Sequence, residues 1–366
     1  MARELTAVLK LIMLIPLLLY FSGCDTGIGV QPLKDPRTYN WTADTIRYPG
    51  SYQTLMEDIW ANSPRDVYAV GHNSRGAKGI MWHYDGINWS NVHLGISEGG
   101  LIEGSIDLTS IYGFSSTDIY AVGDRSKDNP NPPPNLIFSS LIIHFDGFVW
   151  KEVNTYSGSA LIDIYGKSSS DIWAGGESNT LFHYNGSTWE RDSINYTAPP
   201  GYIMQITSIS YFNTSYYALV YCHSTTSPGI KYFFKRTNGN WEVQDSIDLG
   251  IGNYTFGQKL NQSKTNSFYS VGSGGVFKYN GVSWDNVFGT ITTALVSMWG
   301  TSDDNIFVAG SFGEVFHFNG VDWKQIEQLN DYQADYRTVW TEGTHAFVMG
   351  WVFDGVYQKT IVWHGN

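Results

Sequence analysis

Ser110-Ile111-Tyr112-Gly113, then Ser116-Thr117-Asp118, then Ile119-Tyr120-Ala121-Val122-Gly123, is the phrase on which the reading of this chain turns. After an intervening stretch it continues as Ile142-Ile143-His144-Phe145-Asp146-Gly147 and closes on Trp150. The phrase returns as Ile164-Tyr165-Gly166, Asp171-Ile172-Trp173-Ala174, His183-Tyr184-Asn185-Gly186 and Trp189. It returns again as Met298-Trp299-Gly300, Asn305-Ile306-Phe307-Val308, His317-Phe318-Asn319-Gly320 and Trp323. A marker residue closes the second element of every copy: Gly71, Gly123, Gly176, Val220, Gly272, Gly310 and Gly350. Successive markers are 52, 53, 44, 52, 38 and 40 residues apart, which leaves no room for a separate second domain.

Within each unit, aromatic and β-branched residues alternate over four to six positions between turn residues, the pattern of short strands. Each unit therefore reads as four strands, A to D. Asp85-Gly86, Asp146-Gly147, Asn185-Gly186, Asn238-Gly239, Asn280-Gly281 and Asn319-Gly320 lie between strands C and D. Such pairs supply the positive φ angles of a tight hairpin. Asp66, Asp118 and Asp171 end the Ser-rich turn between strands A and B, where a short carboxylate caps backbone N–H groups. Four antiparallel strands repeated seven times around an axis make an all-β, seven-bladed propeller over residues 38–366.

The seventh unit lacks its fourth strand, because the sequence stops at Trp363-His364-Gly365-Asn366. An orphan segment upstream of the first unit, Trp41 to Ile46, has the spacing of Trp189 to Ile194. Residues 38–48 are therefore expected to supply the outer strand of the last blade.

Residues 1–23 read as an export signal and stand outside the fold. Arg3 and Lys10 precede an apolar stretch, Leu11 to Phe21, whose 11 residues are too few for a membrane-spanning helix. Ser22-Gly23-Cys24 follows and resembles a bacterial lipobox, with Phe21 where Leu is usual. The resemblance implies cleavage before Cys24, lipid attachment to its thiol, and a tether over residues 24–37. It also implies a cell-envelope location, with the membrane reached through the anchor alone. Cys222 is the one other cysteine and reads as a small buried hydrophobe, so no internal disulfide is expected. The chain carries a formal charge of −12 with no basic patch, which argues against a nucleic-acid partner.

The repeat resembles those of bacterial propellers related in style to WD40, kelch and two-component-regulator repeats. Its Asn-Gly-x-x-Trp ending resembles the Asp-box of sialidase-like propellers. The full Asp-box, the kelch Gly-Gly pair and the WD dipeptide are absent as regular features. The resemblance therefore implies an architecture and no particular ligand.

Placed on the repeat, most conspicuous residues become scaffold. Trp41, Trp89, Trp150, Trp189, Trp241, Trp284 and Trp323 share one strand-D position in seven blades. His83, His144, His183 and His317 share one strand-C position, so they cannot converge on a metal. No CxxC pair, HExxH, P-loop or GxSxG occurs, and neither cofactor nor metal is expected. Asp44-Thr45-Ile46, Asp192-Ser193-Ile194 and Asp245-Ser246-Ile247 resemble a bacterial O-glycosylation acceptor, though the repeat explains them equally well.

The A–B and C–D turns are short and repetitive, whereas the B–C and D–A connections vary up to the eighteen residues 124–141. Both variable sets belong to one face, and divergent loops on a rigid frame are where function usually sits. His72, Arg125, Glu177, Tyr202, His223, Tyr254, Trp351 and Phe353 are the candidate ligand contacts, with Arg75, Lys78, Lys127, Tyr332 and Tyr357 beside them. The function expected is that of a monomeric, non-catalytic binding or scaffolding propeller for a glycan or an envelope protein. The alternative is a carbohydrate-active hydrolase or lyase using Asp124 and Glu177 near the mouth of the ring.

Overall fold

The structure, a computed structural model, describes residues 34–252, 254–289 and 294–366. They form seven four-stranded antiparallel sheets, each one blade. Blade 2 illustrates the plan: strand A is Ser105–Ser115, B Asp118–Asp128, C Leu136–Phe145 and D Trp150–Ser157. The A strands of successive blades pack against one another around the axis, and each D strand is outermost.

The marker glycines have a steric cause. Strand A carries a register shift at Leu108/Ser110, and equivalent shifts follow Met56, Leu161, Leu295 and Tyr336. Each bulge presses strand-A backbone onto the end of strand B. A Cβ built on Gly123 would lie 2.0 Å from the Asp107 carbonyl oxygen, and one on Gly71 would lie 2.1 Å from that of Leu55. The glycine that made the repeat legible is thus the residue that lets a bulged inner strand pack closely.

The turns differ in part from their sequence reading. Asn238 and Gly239 both take positive φ, 49° and 85°, in a two-residue hairpin. In blades 1, 2, 3, 5 and 6 only the glycine does so. There the preceding Asp or Asn accepts two backbone N–H bonds, as Asp146 does from Phe148 and Val149, both at 3.1 Å. Asp66, Asp118 and Asp171 do not act as turn caps. Each accepts a hydrogen bond from the strand-C histidine of its own blade: His83, His144 and His183, all at 2.8 Å. In blades 2 and 3 Ser115 and Ser168 cap the turns instead.

The core lies between blades. Trp150 stacks on Phe145 of its own blade at 5.4 Å and meets Tyr68 of blade 1 edge-on at 5.9 Å. Trp189 bridges Tyr184 and Tyr120 in the same way. Such contacts each add about 0.5–1.5 kcal/mol beyond simple burial. Cys222 is fully buried in this packing, and burial pushes its thiol up to about 11, as an inert structural residue requires.

Residues Trp41–Ile46 pair with Tyr357–Gly365 and complete blade 7, in the register Trp41↔Gly365 to Ile46↔Thr360. Backbone bonds between Asn40 and Asn366, at 2.9 and 3.2 Å, extend the seam. Tyr39 and Ile46 are buried, so the closing strand contributes apolar surface as well as ladder bonds. The eighteen-residue B–C connection of blade 2 proves to be an extended hairpin. Asp124–Asp128 pair with Leu136–Ser140, and only the proline-rich tip between them is a loop.

Candidate functional site

Strand A runs from the loop face, where the D–A and B–C connections lie, toward the face of the A–B and C–D turns. Residues at the start of A and the end of B therefore surround one mouth of the ring. Among them His72 Nδ1 lies 2.6 Å from Asp107 Oδ1, a contact that raises the imidazole's pKa. Asp124 is pushed up to about 6, first by burial and then by the charges of Asp107 and Glu177. The structure thus brings His72, Asp124 and Glu177 into one electrostatic group and adds Asp107, which sequence reasoning missed because it sits in a repeat strand.

Across the mouth, Arg337 places its guanidinium 4.6 Å from the ring centre of Trp351 and 3.3 Å from Glu57 Oε2. The Trp351 indole donates to the Met56 carbonyl at 2.8 Å, tying blade 7 to blade 1. Trp351 therefore forms part of the rim's framework. Burial raises the pKa of Glu57, and Arg337 opposes that shift.

Beside Arg337, the B–C and D–A connections of blades 6 and 7 build an aromatic group. Phe312, Tyr332 and Phe353 are 46%, 76% and 54% exposed and line a cavity of about 630 Å³. The Phe312 and Tyr332 rings stack at 5.1 Å, and Asp335 and Ser311, hydrogen-bonded at 2.9 Å, line the same cavity. Phe312 adopts φ 58°, which is costly for a residue with a Cβ and is held by its surroundings. Sequence reasoning found Tyr332 and Phe353 from their loops but passed over Phe312, whose only signal was an aromatic beside Gly313 in a short connection.

The remaining candidates do not join this group. Arg125 is 5% exposed and bonds Glu152 at 2.6 Å, so it stiffens the blade 2 hairpin and presents little surface to a ligand. Arg75 donates to the Gly50 carbonyl at 2.8 Å, and Tyr202 to that of Pro228 at 2.9 Å. Both hold loops together. Tyr357 stacks on Tyr52 at 5.9 Å beneath the Arg47 guanidinium. His223 and Tyr254 stand over blades 4 and 5, His223 beside Tyr221 at 5.9 Å. There Tyr254 meets Lys231, a buried ammonium 6.0 Å from its ring, whose pKa burial lowers to about 8. Lys78 and Lys127 are half-buried. Among the described residues no cluster of His, Cys, Asp and Glu has the arrangement of a metal site. Thr45 and Ser246 are exposed on outer strands and Ser193 just past the end of one, each before a buried Ile.

No family model and no curated protein matches the chain. Solved structures do. A YCF48 protein bound to D1 peptide superposes with a TM-score of 0.60 at 14% identity, over 89% of this chain and 95% of that one. YCF48 from Cyanidioschyzon merolae gives 0.57 at 14% identity, over 88% and 98%. At this identity the likeness establishes the propeller fold and nothing finer.

Proposed function

We propose that this chain is a non-catalytic binding propeller whose loop face takes a peptide segment of another envelope protein. The observation that carries the reading is the exposed aromatic group Phe312, Tyr332 and Phe353 beside its cavity. Exposed aromatics gathered on a rigid frame are unusual for an uncommitted surface, and burying them on a partner supplies most of an interface's free energy. Beyond the pairs Glu57–Arg337 and Asp107–His72, the neighbouring mouth holds Asp124 and Glu177, so a basic side chain is favoured there. The segment sought carries an apolar anchor residue with Lys or Arg a few positions away. The similar propeller solved with a D1 peptide supports a peptide ligand over a glycan.

A peptide array probed with the purified protein tests this, alongside a glycan array. Peptides of the stated pattern should bind, with affinity falling about tenfold or more in a Tyr332→Ala/Phe353→Ala double variant, as for a two-residue hot spot. Binding confined to the glycan array would replace the ligand class.

Export and lipid attachment at Cys24, after removal of residues 1–23, belong to the same reading, with residues 24–37 as tether. Arg37 donates to Asp322 at 2.8 Å, in the C–D turn of blade 6. Attached at that turn face, a tether leaves the loop face open to partners. Metabolic labelling with an alkyne fatty acid should mark the wild-type chain, and Cys24→Ala should lose both label and membrane association.

One observation favours a second reading. An Asp124 carboxyl with a pKa near 6 beside Glu177 is partly protonated close to neutral pH, as a general acid of glycoside cleavage must be. Asp124→Asn should then abolish turnover of a glycan substrate while peptide binding persists.

A further inference from the structure

Away from the loop face, the channel of the ring contains a second cavity, of about 370 Å³, reaching from Asp58 toward the A–B turn of blade 5 at Lys264. A belt of polar residues occupies one strand-A position in every blade, Asp58, Ser110, Asp163, Ser208, Lys259, Ser297 and Thr338, and all of them but Ser208 line the cavity. Much of the belt is structural. Asp163 accepts the Ile209 N–H at 2.7 Å, Ser208 that of Leu260 at 3.0 Å, and Ser297 that of Val339 at 3.2 Å, each from the following blade.

The belt is unbalanced in charge. Asp58 and Asp163 are two carboxylates, and Lys259, 2.6 Å from Asp163 Oδ1, is the one ammonium among them. Lys264 also lines the cavity, but it is committed to Glu342 at 2.7 Å. Asp58 is held by four hydrogen-bonding groups. Ser110 Oγ and the Ile111 N–H donate to one of its oxygens, at 2.9 and 3.1 Å. Thr338 Oγ1 and the Ile59 N–H donate to the other, at 3.3 and 2.9 Å. Burial raises the pKa of Asp58, with Lys259 and these donors opposing the shift, so a cation placed in the cavity would favour the ionised carboxylate.

Two further groups at this cavity want a ligand. Ser210 is 1% exposed, and its Oγ has no hydrogen-bond partner among the described residues; the same is true of Asn261 Oδ1. Both residues line the cavity, whose walls also include Trp60, Tyr112, Tyr165 and Trp299. Oxygens without partners, two carboxyl groups against one ammonium, and aromatic walls together describe a receptor for a cation with an apolar body.

We propose that this channel cavity binds a small organic cation, a primary ammonium group on a short apolar stem. The ammonium donates to Asn261 Oδ1 and Ser210 Oγ and neutralises the excess carboxylate, and the stem lies against the aromatic walls. An inorganic cation would leave those walls unused. The site is independent of the loop-face reading and uses none of its residues.

Isothermal titration of the full-length chain in detergent with n-butylammonium chloride tests it, with n-butanol and sodium chloride as controls. Saturable binding at least tenfold tighter than that of n-butanol is expected. Asp163→Asn should weaken it about tenfold, and Ser210→Val, which removes the hydroxyl without removing a charge, should abolish it. If Asp163→Asn fails to fold, Ser210→Val decides alone. Absence of saturable binding to the folded wild-type chain would overturn the proposal, leaving water as the partner of Ser210 and Asn261. Equal affinity for n-butanol, or affinity unchanged in Ser210→Val, would overturn it as well.

Discussion

Blades 1 to 3 and blades 6 and 7 place a histidine at the same point of strand C but give it different partners. In blades 1 to 3 the partner is a carboxylate at the start of strand B: Asp66, Asp118 or Asp171. In blade 6 it is the amide oxygen of Asn305, 3.0 Å from His317, and in blade 7 a second imidazole, His345, 2.9 Å from His364. The ring beneath is shared throughout: the imidazole stacks on it in blades 1, 2, 3 and 7 and lies tilted by 50° against Phe307 in blade 6. His83 lies on Tyr68 at 4.3 Å, His144 on Tyr120 at 4.2 Å, and His364 on Phe347 at 4.3 Å. Lys235 and Lys278 hold the position in blades 4 and 5, over Tyr217 and Tyr269. The repeat therefore specifies a nitrogen base above an aromatic ring, and the strand-B residue decides whether a proton on that base finds a counter-charge. In blades 6 and 7 it does not. Burial, with Arg37 close by, lowers His317 to about 4, and burial beside His345 lowers His364 to about 4. The seam lies within blade 7, where residues Trp41–Ile46 close the ring, and Trp41 meets Phe307 of blade 6.

Removing the closing strand should break the comparison most severely. A chain that begins at Pro49 leaves the Tyr357–Gly365 edge unpaired and uncovers the core around Phe307. Its melting temperature should fall by on the order of 10 °C or more, several kcal/mol for a domain of this size. An unchanged melt would show that the ring does not depend on the strand.

Acid should come next, and selectively. A histidine held neutral in the fold, with its pKa lowered from 6.5 to about 4, binds fewer protons folded than unfolded across that window. Stability is therefore complete above about pH 6.5 and falls as pH drops toward 4, by up to about 3 kcal/mol per group. Hydrogen exchange at pH 5 should report the loss first in blades 6 and 7, with blades 1 to 3 still protected.

Exchanging the partners sharpens the point at smaller amplitude. Asn305→Asp supplies a carboxylate to His317 and should move the acid midpoint to lower pH by stabilising the imidazolium. Asp118→Asn gives blade 2 the pairing of blade 6 and should cost about 1 kcal/mol, a charged hydrogen-bond partner being exchanged for a neutral one. Thermal melts of both variants at pH 5 and pH 7.5 provide the check.

The smallest effect runs the other way and separates mouth from seam. Asp124, raised from 3.8 to about 6, binds more protons folded than unfolded between those values. Its burial cost therefore grows as pH rises through that window and is complete above pH 6. Asp124→Asn should stabilise the chain by up to about 1 kcal/mol at pH 7.5, solvent screening included, and not at pH 4. A gain equal at both pH values would place the effect outside this titration.

Strand order, blade number and the closing segment were legible because bulge, glycine and Asn-Gly turn recur with the blade. A residue repeated seven times declares its role. The scaffold tryptophans could be set aside from the repeat alone, and the structure places each of them at the start of strand D. The site was less legible. Tyr332 and Phe353 stood out as aromatics in variable loops, but Phe312 was one residue of a four-residue connection. Arg125 looked like a loop cation because the hairpin that buries it has a tip rich in proline, which reads as irregular chain.

By itself the sequence determined the seven blades, the faces and the seam, since these follow from local periodicity and from turn residues that need particular backbone angles. It also placed four of the strand-C histidines at one repeat position. Only the tertiary structure decided the partners: carboxylate, amide or imidazole across strands B and C, and the charge imbalance of Asp58, Asp163 and Lys259 around the axis. Those residues are separated by about a hundred positions or more in some pairs, and their protonation depends on donors and burial supplied by neighbouring blades. Local pattern carries no record of which distant group will stand within 3 Å.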